Sequence, residues 1–163
     1  MRVLGIDPGT ATTGYGLVEY SKGGLALLDF GWVKTDKGKL TQDRLRDIYL
    51  QFLSIFRIKR PAVVAIERIF FSVNAKSAIG VAQAQGVIML AAAKNKVPIF
   101  EFSPLEVKRV VSGNGWAKKE EMKKVVRRLL KFRSPRKQRT HFDDVADALA
   151  VAICYIKKID KNY

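Results

Sequence analysis

The sequence predicts an α/β domain, a mixed five-stranded sheet flanked by helices. Three observations predict it. The first third of the chain reads as successive strands around a glycine turn. Beyond residue 40, helical periodicity alternates with short, wholly apolar segments. Finally, 163 residues that are 48% hydrophobic, nine of them Phe, can bury one substantial core and are too apolar for a disordered chain.

Residues 2 to 7 are an apolar run and the first strand. Gly14 to Tyr20 and Leu25 to Lys34 follow, joined by the turn Ser21-Lys22-Gly23-Gly24, which makes a three-strand meander. Leu40 to Arg60 carries Leu45, Ile48, Phe52 and Phe56 on one helical stripe, and Pro61 closes it. Residues 62 to 66 are short and fully apolar, as expected of a strand inside a sheet. Asn74 to Lys94 is long enough for a helix of several turns. Its small residues let a sheet or a second subunit approach closely. Val97 to Phe102 is the fifth strand. Ser103, Pro104 and Glu106 supply an N-cap, a first-turn proline and a third-position acid. Gly113-Asn114-Gly115 ends that helix. Lys118 to Phe132 is a basic helix, Ser134 to Arg139 a polar basic loop, and Thr140 to Lys158 the last helix. One domain over residues 1–158, with a short tail at 159–163, accommodates all of this.

The formal net charge is +15, and it is concentrated. Residues 104–139 hold 13 Lys or Arg against 3 Glu. Such a stripe points to nucleic acid ahead of a generally basic surface or a membrane-surface module. A lone Cys154 excludes an intramolecular disulfide. No stretch reads as a signal peptide or an ordinary membrane span, so a soluble, cytoplasmic protein is expected.

Against that basic background, a few acids stand where an acid is costly. Asp7 ends the run Val3-Leu4-Gly5-Ile6 and precedes Pro8-Gly9. Glu67 ends Val63-Val64-Ala65-Ile66. Asp144 and Asp147, three apart on the last helix, lie beside the apolar stripe Val145, Leu149, Ala152, Ile153 and Ile156. Each has a bland alternative: a turn Asp, a strand-end Glu paired with a base, a charge near a helix N-terminus. Asp143 fits a capping box with Thr140, which suffices as its role. Taken together, four carboxylates from two strand ends and one helix fit two Mg²⁺ ions acting on a phosphodiester. One His and one Cys are too few for zinc.

With these residues in hand, the chain resembles the RuvC-type Holliday junction resolvases over nearly its whole length. The resemblance is carried by Gly5-Ile6-Asp7-Pro8-Gly9 with Thr13-Gly14-Tyr15-Gly16, and by Ile66-Glu67-Arg68-Ile69-Phe70 with Asn74-Ala75. Gln83-Ala84-Gln85-Gly86 and Asp144-Val145-Ala146-Asp147-Ala148-Leu149-Ala150 complete it. It implies a ribonuclease H-like fold and a homodimer that binds four-way DNA junctions. It also implies paired Mg²⁺-dependent nicks in strands of like polarity, with Mn²⁺ as a substitute ion. The branch-migration motor complex is an implied partner. By the same resemblance, Asp7, Glu67, Asp144 and Asp147 are the catalytic, metal-holding acids. Phe70, Lys108 and Lys119 are DNA-contacting. Some relatives carry His at the position of Asp144; His141 is given no role. The adjacent Phe70 and Phe71 also admit plain core packing, and Arg127, Arg128 and Arg136 either extend a DNA track or form a solvated face. Two rivals remain. An actin-like sugar kinase or ATPase shares the Asp7-Pro8-Gly9-Thr10 turn but needs a second lobe, and a non-catalytic junction-binding module would lack an acid.

Overall fold

The computed structural model describes residues 1–69, 75–132 and 142–159. Five strands form one sheet: β1 (Arg2–Asp7), β2 (Thr12–Ser21), β3 (Gly24–Lys34), β4 (Val63–Glu67) and β5 (Ile99–Phe102). The order is β3-β2-β1-β4-β5. The predicted meander is present, with β1–β2 and β2–β3 antiparallel. The later strands pair in parallel, β4 on β1 and β5 on β4. The sheet is therefore mixed, and its central strands β1 and β4 are covered on both faces.

The helices are α1 (Thr41–Lys59), α2 (Ala75–Lys94), α3 (Pro104–Ser112), α4 (Lys119–Leu129) and α5 (Phe142–Ile159). Strand alternation sorts the side chains between two cores. Leu4, Ile6, Val64 and Ile66 meet Ile48, Phe52 and Phe56 of α1 and Ala84, Ile88 and Ala91 of α2. Val3, Val63 and Ala65 point the other way, toward α5, with α3 and α4 outside it. Helix α5 is thus enclosed between sheet and helices, which is why it is apolar nearly all round.

The caps follow local chemistry. Ser103 Oγ accepts the Glu106 backbone N–H at 3.2 Å, and Pro104 opens α3 as expected. Arg60 takes a left-handed conformation at the end of α1, ahead of Pro61. The basic helix is shorter than its composition suggests. Lys131 turns left-handed, and the Phe132 N–H returns to the Arg127 carbonyl at 3.0 Å. This reversal brings the Phe132 ring onto Phe142, 5.9 Å between centroids, and edge-on to Phe30 at 5.1 Å. Aromatic burial outweighs the helix propensity of residues 130–132.

Candidate active site

Two of the predicted acids emerge together because β1 and β4 are parallel neighbours in matched register, Ile6 beside Ile66. The next residue on each strand is an acid. Ile6 and Ile66 face the α1–α2 core, so by the two-residue period Asp7 and Glu67 face α5. Thr13 fixes the turn after Asp7: its hydroxyl donates to the Gly9 carbonyl at 2.7 Å and accepts the Gly9 N–H at 3.3 Å. Arg44 holds the next bend, donating to the Thr10 carbonyl at 2.8 Å.

The other two acids arrive through α5. A Cβ on Gly5 would collide with the Ala148 carbonyl, and one on Gly14 with the backbone of Asp144. Because both positions are glycine, α5 lies directly on β1 and β2. Gly14 is the β2 partner of Asp7, so this close approach seats the first turn of α5 over the strand end that carries Asp7. Asp147, one turn further, lines a cleft of about 250 Å³ with Glu67, Lys108 and Lys119. Pro104, Val107, Met122 and Ala150 form its apolar walls.

The electrostatics are those of acids gathered together and withdrawn from water. Burial pushes the Asp7 carboxyl up to about 8, with Asp147, Glu67 and Asp144 adding to the rise and Lys119 opposing it. Burial also lifts Glu67 to about 7; Asp147 adds to that, while Lys108 and Lys119 oppose it. Asp147 is raised by burial against the pull of Lys119. All donors are carboxylate oxygens, the hard ligands that Mg²⁺ and Mn²⁺ take. Acids that burial and one another hold above the usual range fit a divalent cation, which favours their ionised form. Among the described residues, no three acids are drawn tightly enough to enclose an ion. The Lys119 ammonium lies 3.3 Å from Asp147 and 3.5 Å from Asp143.

The structure therefore brings Asp7, Glu67, Asp144, Asp147, Lys108 and Lys119 to one side of the sheet. Phe70 and Phe71, as well as Asn74, Thr140 and His141, lie outside the described residues. Asp143 has contacts that a capping box with Thr140 does not include: its carboxylate binds Lys123 as well as Lys119, and these partners hold it below the usual carboxylate range. Sequence reasoning left Lys123 among an undifferentiated basic face. Its i,i+4 spacing from Lys119 was the available signal.

The family model described as crossover junction endodeoxyribonuclease RuvC matches residues 3–155. The chain is 45% identical over 157 residues to the crossover junction endodeoxyribonuclease RuvC of Caldicellulosiruptor saccharolyticus, covering 96% of this chain and 92% of that one. Among solved structures, it is similar to Thermus thermophilus RuvC, with a TM-score of 0.86 and 34% identity over 98% of this chain and 95% of that one. The same protein in complex with a Holliday junction substrate gives a TM-score of 0.87 and 33% identity, covering 98% and 94%.

Proposed function

The chain belongs to the crossover junction endodeoxyribonuclease RuvC family, nucleases that resolve four-way DNA junctions and depend on divalent metal, and we propose that it nicks two strands of like polarity using Mg²⁺ held by Asp7, Glu67, Asp144 and Asp147. The observation that carries this reading is the convergence of buried acids that raise one another, Asp7 to about 8 and Glu67 to about 7. Acids gathered this closely and withdrawn from water gain from a cation bound between them.

When bound, two divalent ions supply the activation of water and the neutralisation of the leaving oxygen that an in-line displacement at phosphorus needs. The residues of the chain do the rest. The strand ends and α5 fix the carboxylates before DNA arrives, so little reorganisation is left for the reaction. Lys108 and Lys119 line the cleft beside Glu67 and Asp147, where their ammonium groups take up phosphate oxygens. The apolar walls of Val107, Met122 and Ala150 limit water around the reacting group. Phe70, three residues beyond the end of β4 in the sequence, is proposed as the aromatic that contacts the opened junction.

Symmetric cutting needs two sites related as the junction's strands are. A homodimer through α2 meets that need. One edge of the helix packs inward through Ala84, Ile88 and Ala91, while Ile79 and Leu90 remain 61% and 52% exposed, and a Cβ on Gly86 would meet nothing. Branch-migration motor subunits are a further partner on this reading. Among the described residues no helix is long and apolar enough to cross a membrane, and a cytoplasmic place of action belongs to the same proposal.

A synthetic four-way junction labelled on each strand in turn tests it. Nicks are expected in one pair of like-polarity strands with Mg²⁺, none in EDTA and none with Asp147→Asn. Equal cutting of a linear duplex, or cutting that survives EDTA, contradicts the reading.

A further inference from the structure

We propose that Trp116 is a DNA-contacting residue that stacks on an unpaired nucleobase near the phosphate being cut. The proposal rests on the junction-nuclease reading above and adds a binding residue to it. Trp116 is 86% exposed, more than any other large apolar side chain among the described residues. An indole left in water forgoes a large apolar stabilisation, so one held there deliberately invites a partner.

The segment that carries it is ordered by its own hydrogen bonds. Gly113 caps α3 in a left-handed conformation and returns its N–H to the Arg109 carbonyl at 2.9 Å. Ser112 Oγ donates to the Lys108 carbonyl at 2.8 Å and accepts the Asn114 N–H at 3.2 Å. Asn114 Oδ1 then accepts the Trp116 N–H at 3.0 Å. Ala117, the next residue, is buried. The backbone beneath the ring is anchored on both sides, and the indole takes no part in anchoring it.

Charge identifies the partner. Lys118 and Lys119 follow within three residues, in a stretch where basic residues outnumber acidic ones 13 to 3. That surface suits a polyanion and opposes another copy of the same basic chain. The Leu105 side chain lies against Gly115 and continues the apolar edge toward Pro104 and Val107 of the catalytic cleft. Lys119 reaches Asp147 in that cleft. Three residues of chain span at most ~11 Å, and one DNA strand rises ~3.4 Å per nucleotide. With the two side chains added, the indole falls within one helical turn of DNA, ~34 Å, of the cut. In intact duplex, the flat faces of bases are occupied by their neighbours. Only an unstacked base, as at a junction centre, offers a face to the ring.

The test compares wild type, Trp116→Ala and Trp116→Phe for binding to a four-way junction and to a linear duplex across a salt series. Trp116→Ala is expected to weaken junction binding roughly 5- to 150-fold, with duplex affinity, salt slope and melting temperature unchanged, and Trp116→Phe to recover most of the loss. Junction DNA should also quench the wild-type tryptophan fluorescence, and Trp116→Phe should remove that quenching; the other tryptophan, Trp32, lies partly buried on β3. Junction binding by Trp116→Ala equal to wild type overturns the proposal while leaving the nuclease reading intact. Equal losses on junction and duplex overturn it as well, since they would assign the ring to a duplex arm, and so does a lower sedimentation coefficient without DNA, which would assign it to a protein interface. If wild type shows no preference for the junction over duplex, the nuclease reading falls and this inference with it.

Discussion

Asp7→Asn should make the metal-free protein more stable while abolishing nicking. In the folded chain the Asp7 carboxyl is pushed from 3.8 to about 8. At pH 7 an unfolded Asp is about three pH units above its own value and fully ionised, whereas the folded one is mostly protonated. At ~1.4 kcal/mol per unit, that difference opposes folding by roughly 4 kcal/mol. Asp7 is only partly covered from solvent, so water relieves some of this, and a buried amide keeps a desolvation cost of its own. A net gain of about 1 to 3 kcal/mol is expected, which raises the melting temperature by about 3 to 10 °C for a chain of this size. The assay is a melting curve in EDTA and again in Mg²⁺. Wild type should gain stability from the ion, about 2.7 kcal/mol at one hundred times its dissociation constant, and Asp7→Asn should gain much less. A variant that melts below wild type in EDTA, or one that still nicks junctions with Mg²⁺, refutes the reasoning.

The same shifts set a pH dependence. Asp7 and Glu67 both have folded values above their unfolded ones, so their stabilising share is complete below about pH 4 and is lost as pH rises through 7 to 8. Metal-free wild type should therefore melt lower at pH 8 than at pH 5.5, and the double variant Asp7→Asn, Glu67→Gln should show a smaller drop. Asp143→Ala removes ion pairs whose carboxylate is half-exposed, so it should cost about 1 kcal/mol and keep nicking within about tenfold of wild type. If it is as inactive as Asp147→Ala, Asp143 does more than restrain Lys119 and Lys123. Lys108→Ala should weaken binding to any DNA and reduce the salt slope by about one phosphate. Phe70→Ala should instead slow junction cleavage at an unchanged slope, and a large fall in melting temperature with normal cleavage would return Phe70 to the core.

How much of this was legible in the sequence depends on the range of the interaction. The strand ends were readable because the apolar runs at 3–6 and 63–66 each stop at an acid, and parallel pairing then aligns Asp7 with Glu67. The α3 start was readable because its cap is local. The retreat of α4 from residues 130–132 was not, since it is decided by Phe132 meeting Phe30 and Phe142 from distant segments. Asp143 shows the same limit. A local cap with Thr140 is a sufficient role in the sequence, whereas only the fold brings Lys119 and Lys123 of α4 alongside. Trp116 belongs with these cases. A single tryptophan among glycines and lysines has no periodicity to place it, and only the folded surface shows it uncovered.

The central claim is that Asp7, Glu67, Asp144 and Asp147 together hold divalent ions. Crystals of the protein grown with Mn²⁺ and junction DNA, measured for anomalous scattering, address it directly. Two peaks bounded by these four carboxylates and the phosphate between the nicked nucleotides are the predicted result. Peaks seated elsewhere, or a fully ordered site in which Lys119 keeps its place at Asp147 with no anomalous density beside it, would contradict the account.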